Sequence, residues 1–132
     1  MSTAPAAQGS GWESFDAYSV ILYQHEWPAT KPELSPEAWD ALHREHVTFL
    51  QELRDSGQLL VNGPFDGGGG FVFLSTDLAE ARRIAERDPF VAAGLRDVEV
   101  HTWRCPPGAL TFNREALYVD LPDKILPSEN EE

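Results

Sequence analysis

Residues 63–73 read GPFDGGGGFVF, and the run of glycines decides the fold through the kind of element it leads into. A glycine loop that cradles phosphate leads from a strand into a helix, whose free N–H groups and dipole meet the anion. Here the glycines lead instead into Phe71-Val72-Phe73-Leu74, a β-branched and aromatic run that reads as a strand. No Gly-Lys-Ser/Thr comes after them, which excludes a Walker-type loop. The stretch is therefore a hairpin, with Gln58 to Phe65 and Gly70 to Ser75 as strands and Asp66 to Gly69 as the connection. Glycine tolerates positive φ, so Asp66-Gly67-Gly68 suits a tight turn and Gly69 or Gly70 is free for a bulge. Bare backbone at this point also gives room to a ligand or a second subunit.

Working outward, Ala17 to Gln24 (AYSVILYQ) has the composition of a largely buried strand. A loop with prolines at 28 and 32 follows, and Ser35-Pro36 then supplies an N-cap and a proline at the first helical position. The helix is predicted from Pro36 to about Ser56, stopped by Gly57. Trp39, Leu42, Phe49, Leu50 and Leu53 form its core-facing stripe. Beyond the hairpin, Asp77 and Glu80 mark a capping box for a second helix, with Leu78, Ala81, Ile84 and Ala85 on its apolar face. Pro89 ends or re-aims that helix, and a turn from Phe90 to Leu95 leads into a last strand, Asp97 to Arg104 (DVEVHTWR). The order β-α-β-β-α-β predicts an α+β, ferredoxin-like domain in which two helices cover one face of a four-stranded antiparallel sheet. The other sheet face is left bare, which predicts a homodimer.

The chain has 132 residues, 42% of them hydrophobic, enough for one domain with one core. Its formal net charge of −12 repels polyanions, so neither nucleic acid nor an anionic membrane surface is expected as a partner. No apolar run approaches the roughly 20 residues of a membrane span. The N-terminus MSTAPAAQGSG lacks the basic start and apolar stretch of a signal peptide, so a cytoplasmic location is expected. Cys105 is the single cysteine, which rules out an intrachain disulfide and a cysteine-rich zinc site. The domain is expected to span residues 15–104, between a disordered N-terminus, 1–14, and a disordered acidic tail, 127–132. Residues 105–126 carry Leu110, Phe112, Leu117, Tyr118, Val119, Leu121, Ile125 and Leu126, and are expected to pack on the domain or on a partner.

Two polar residues interrupt the apolar stripes. His46 stands four residues after Leu42 and three before Phe49, which aims an imidazole inward. Either it is a buried histidine bonded to backbone, or it carries chemistry. Counting on from Leu78, Ala81 and Ala85 reaches Asp88, at a helix C-terminus where the dipole disfavours negative charge. Asp88 before Pro89 is also a good N-cap for a following turn, so either that cap is its whole explanation or the carboxylate has a further role. If the helices lie side by side, His46 and Asp88 make a general acid/base dyad. His43 and His46 are spaced to chelate, but further ligands are sparse and His43 reads as solvent-flanking, so no metal is expected. No Gly-x-Ser-x-Gly elbow marks a serine nucleophile.

Residues 46–74 (HVTFLQELRDSGQLLVNGPFDGGGGFVFL), followed by DLAEARRIAERDPFVAAGL and VEVHTW, resemble the YciI-like (YCII-related) proteins of the dimeric α+β barrel superfamily. The resemblance runs from about Tyr18 to Arg104, and its most specific pieces are the helix histidine followed by Phe-Leu, Gly63-Pro64-Phe65, and Asp88-Pro89-Phe90 with Ala93-Gly94. It implies a ferredoxin-like fold, a homodimer and an active site centred on a His/Asp pair, carried onto His46 and Asp88. One similar group removes chloride from chlorinated hydroxyhydroquinones, and more distant relatives isomerise lactones or cyclise polyketides. The expectation is thus a cofactor-independent lyase, isomerase or cyclase acting on a small aromatic or polyketide-like metabolite. The alternative is a non-catalytic small-molecule binding or accessory module. The pocket is expected between helices and sheet, with Tyr23, Trp39, Phe65, Phe90 and Trp103 as its apolar walls. The loop from His25 to Ser35 is longer than a minimal member of the family needs.

Overall fold

In the computed structural model, which describes residues 11–113, each long helix begins where a side chain meets its free N–H groups. Ser35 Oγ accepts from Ala38 N at 3.1 Å and Pro36 takes the first turn, giving helix α1 (Pro36–Asp55). Its end is a Schellman closure: Gln58 N donates to Leu53 O and Gly57 N to Arg54 O, both at 3.0 Å. Asp77 Oδ1 accepts from Glu80 N at 2.8 Å and starts α2 (Leu78–Arg87). Glu80 turns its own carboxylate to Arg83 instead of completing a reciprocal box. The turn expected after Pro89 is a single helical turn, α3 (Pro89–Ala92).

Four strands, β1 (Asp16–Tyr23), β2 (Leu59–Pro64), β3 (Gly70–Leu74) and β4 (Val98–Cys105), make one antiparallel sheet in the order β2-β3-β1-β4. This is the ferredoxin-like arrangement. Side chains alternate across it, so Ser19, Ile21, Val72 and Leu74 face the helices. There they meet Leu50 and Leu53 of α1 and Ala81, Ile84 and Ala85 of α2. Each fully buried leucine, isoleucine or valine in this layer contributes about 1.5–3 kcal/mol relative to exposure. Buried Ser19 is satisfied by donating to Thr76 O at 2.8 Å.

The opposite face is aromatic. Tyr18 stacks on Phe73 with centroids 5.4 Å apart, and Phe73 lies 5.6 Å from Trp103, which is 43% exposed. Phe112 folds back onto this face, 5.7 Å from Tyr18. Of the extension expected to pack on the domain or on a partner, residues 114–126 lie outside the described residues. Burial and the neighbouring Asp16 push the Cys105 thiol above its ordinary value, as suits an unreactive buried cysteine.

Two local expectations need correcting. Trp12–Ser14, inside the stretch expected to be disordered, form a turn of 3-10 helix, and Arg104 Nη1 fastens it by donating to Trp12 O at 3.1 Å. The bulge expected at Gly69 or Gly70 is instead a register shift between Leu59 and Val61. The glycines are occupied otherwise: Gly67, Gly68 and Gly69 all hold positive φ, and a side chain on Gly69 would strike the Tyr23 carbonyl oxygen. What they admit is the end of β1, the chain's own backbone.

Candidate functional site

A cavity of about 890 Å³ opens between the first half of α1 and the hairpin end of the sheet. Its α1 wall is a stripe at helical spacing, Trp39, His43, His46 and Leu50. Asn62 and the glycine turn form the opposite side, and His25 and Trp27 of the β1–α1 loop border it.

Behind the α1 wall lies Asp88, fully buried between α2 and α3. A buried carboxylate is tolerated only when donors surround it, and three do. Phe90 N donates to Oδ1 at 2.9 Å, which caps α3. His46 Nδ1 lies 2.9 Å from the same oxygen. The Tyr23 hydroxyl donates to the other, Oδ2. The same carboxylate therefore serves both as a helix cap and as the histidine's partner.

Asp88 accepts hydrogen bonds only, so the proton of a neutral His46 sits on Nδ1 and Nε2 is left as the basic nitrogen. Phe90 stacks on the imidazole with centroids 4.4 Å apart and planes inclined by 20°, which fixes the ring's tilt. Burial, and after it the charge of Asp88, push the Tyr23 hydroxyl well above the ordinary tyrosine value. Tyr23 therefore remains a proton donor to Asp88. Chemically, this arrangement can hold a base on a cavity wall and stabilise its protonated form from behind.

Of the expected pocket walls, Tyr23, Trp39, Phe65 and Phe90 border the cavity. Tyr23 is more than an apolar surface, because its hydroxyl is committed to Asp88. Phe65 stands at the rim, 47% exposed. Trp103 does not belong to the pocket: it pairs in register with Tyr18, and both point to the open sheet face. His43 was expected to flank solvent, yet it is partly buried in the cavity wall, 6.1 Å from Phe90 and 6.4 Å from His46. Trp27 is held over the mouth between Trp39, at 5.8 Å, and the Arg96 guanidinium, at 3.9 Å. Arg96 also donates to Gln24 O at 3.0 Å, so the long loop is pinned. Among the described residues, no group of three or more His, Cys, Asp or Glu side chains is arranged to hold a metal ion. No helix among them is long and apolar enough to cross a membrane.

The YCII-related domain model matches residues 19–104, more than half of the chain. No curated protein sequence matches it. Among solved structures, the chain is similar to the 5-chloro-2-hydroxyhydroquinone dehydrochlorinase of Burkholderia phenoliruptrix AC1100, determined in complex with 2,5-dihydroxybenzoquinone. The two share 21% identity with a TM-score of 0.48, over 65% of this chain and 92% of that one.

Proposed function

The chain belongs to the YCII-related domain family, and on that premise we propose that it is a cofactor-independent enzyme of proton transfer. Its reaction is of lyase, isomerase or cyclase type, on a small aromatic or polyketide-like metabolite. The observation that carries this reading is the buried Asp88 carboxylate bonded to His46 Nδ1 on the wall of an aromatic-lined cavity. A buried histidine with a structural role alone does not require a carboxylate behind it and an open cavity before it.

In the proposed reaction, His46 Nε2 takes a proton from an acidic C–H or O–H of the substrate. The imidazolium so formed is stabilised by Asp88, which keeps its own negative charge. The proton then returns at another position for isomerisation, or to a departing group for elimination. Trp39, Phe65 and Phe90 supply apolar surface against a planar substrate, and Phe90 keeps the imidazole from turning.

The test is deuterium incorporation from D2O into a panel of hydroxyquinols, hydroxyquinones and β-diketones, followed by proton NMR. We expect enzyme-dependent exchange in at least one of these classes, reduced about 10²–10⁴-fold in His46→Gln with the circular dichroism spectrum unchanged. Full exchange in the folded variant, or none by the wild-type protein with any class, rejects the reading.

A further inference from the structure

We propose that Tyr23 is a positioning residue that sets the basicity of His46 through Asp88. The proposal rests on the reading of His46 as a general base and adds a third member, on a different element, to the pair.

The geometry is a chain of three groups from three parts of the fold. Tyr23 closes β1, Asp88 joins α2 to α3, and His46 lies midway along α1. Tyr23 donates to Oδ2 and His46 faces Oδ1, so the two compete for the charge of one carboxylate from opposite ends. A hydroxyl bonded to Oδ2 draws negative charge away from Oδ1 and weakens the attraction for an imidazolium. It also fixes the rotation of the carboxylate, because Oδ1 is held at the same time by Phe90 N. Without Tyr23, Asp88 would keep its full pull on His46, and the base would be protonated at a higher pH.

Other groups near His46 stand further off. His43, on the same helix, has its ring centre 6.4 Å away. β2 offers only the neutral Asn62, while His25, Glu26, Asp66 and Arg96 reach the cavity from the segments beside it. Arg96 is engaged with Trp27 and with Gln24 O. Among the described residues, the hydrogen bonds to the Asp88 side chain come from Tyr23, His46 and Phe90.

Tyr23→Phe removes the hydroxyl and keeps the ring, so it separates the electrostatic role from packing. The probe is the proton NMR titration of the His46 Cε1–H, which needs no substrate, recorded in a His43→Asn background so that His46 is the one imidazole left on the α1 wall of the cavity. The expected result is an upward move of the midpoint by about one pH unit, a tenfold tighter hold on the proton. The acid limb of any pH–rate profile should move the same way. An unchanged midpoint, or a downward one, overturns the proposal. Should Tyr23→Phe itself unfold, 3-fluorotyrosine at position 23, a more acidic phenol of nearly the same shape and so a stronger donor to Oδ2, takes its place. It should move the midpoint downward, and a midpoint that stays or rises overturns the proposal. The two readings fail separately. If the midpoint moves but His46→Gln retains exchange, positioning stands and catalysis falls; if exchange needs His46 but the midpoint is unmoved, the reverse holds.

Discussion

Gly69→Ala tests why the hairpin is written in glycine. Gly69 sits at φ +76°, where an L-residue costs about 1 kcal/mol or somewhat more. An added Cβ there would also strike the Tyr23 carbonyl oxygen and stand 3.1 Å from the carbonyl group of Gln24. These are backbone atoms at the end of β1, so no side chain can rotate away, and overpacking adds about 1–3 kcal/mol. Gly57 is the control: its φ is +86°, yet an added methyl would have nothing within 4 Å, so Gly57→Ala should cost only the conformational share, about 1 kcal/mol. The expected losses are therefore about 3 and about 1 kcal/mol, a difference of roughly 30-fold in the folding equilibrium. Urea unfolding at one protein concentration measures both, with an unchanged m-value as the sign that stability alone has altered. Equal losses in the two variants would mean that the Tyr23 carbonyl does not restrict position 69. Because the contact is with Tyr23 itself, Gly69→Ala should also disturb the hydroxyl's bond to Asp88, an effect that Gly57→Ala should lack.

Two further outcomes are expected. Tyr23 has a folded-state value raised above its unfolded one, so above about pH 10 the unfolded chain loses a proton that the folded protein keeps. Its contribution is complete below that pH and is lost as pH climbs toward the folded value, at up to about 1.4 kcal/mol per unit. Urea midpoints between about pH 8 and 11 should fall more steeply for the wild type than for Tyr23→Phe; parallel curves count against the buried donor. Separately, we propose that the aromatic sheet face bearing Tyr18, Phe73 and Trp103 is covered by a second copy of the chain. Light scattering at micromolar concentration should then give a dimer, and Trp103→Glu a monomer of unchanged circular dichroism, whereas a monomeric wild type defeats the idea.

The order of elements could be read from the chain because caps and stops are local. Ser35-Pro36, Gly57 and Asp77 act within a few residues of themselves, and each bounds a helix as expected. What local pattern could not fix was rotation about an axis. Two stripes run along α1 from Trp39, one through Leu42 and Phe49, the other through His43 and Leu50, and His46 and Leu53 belong to both. Leu50 and Leu53 are the buried pair, so the helix is turned toward the second stripe and His43 comes into the cavity wall with it. In β4, apolar residues occupy both parities, which hides the fact that Val98 and Val100 face the helices and Trp103 does not. In β2, the register shift after Leu59 resets the alternation and carries Asn62, paired with Val72, to the helix side of the sheet.

The rivalry between cap and dyad at Asp88 disappears for a reason that lies in the valence of a carboxylate. Its two oxygens offer about four lone-pair sites, so accepting from Phe90 N leaves room for His46 and Tyr23. The cap is moreover what holds the carboxylate in place against His46. Pro89 holds Asp88 in an extended conformation, φ −61° and ψ 126°, from which the side chain must turn back over the first turn of α3. That turn is closed by Gly94 at φ +78°, with Leu95 N donating to Phe90 O at 2.9 Å and the Leu95 side chain buried. Phe90 is thus fixed at both ends of its backbone, and its ring lies flat on the imidazole that Asp88 orients. Asp88-Pro89-Phe90, ended by Gly94-Leu95, is a single local device that sets the direction and the tilt of a histidine 42 positions earlier in the chain. Only the negative charge is separable from it, since an amide in place of the carboxylate would keep an acceptor for the cap and lose the counter-ion for an imidazolium.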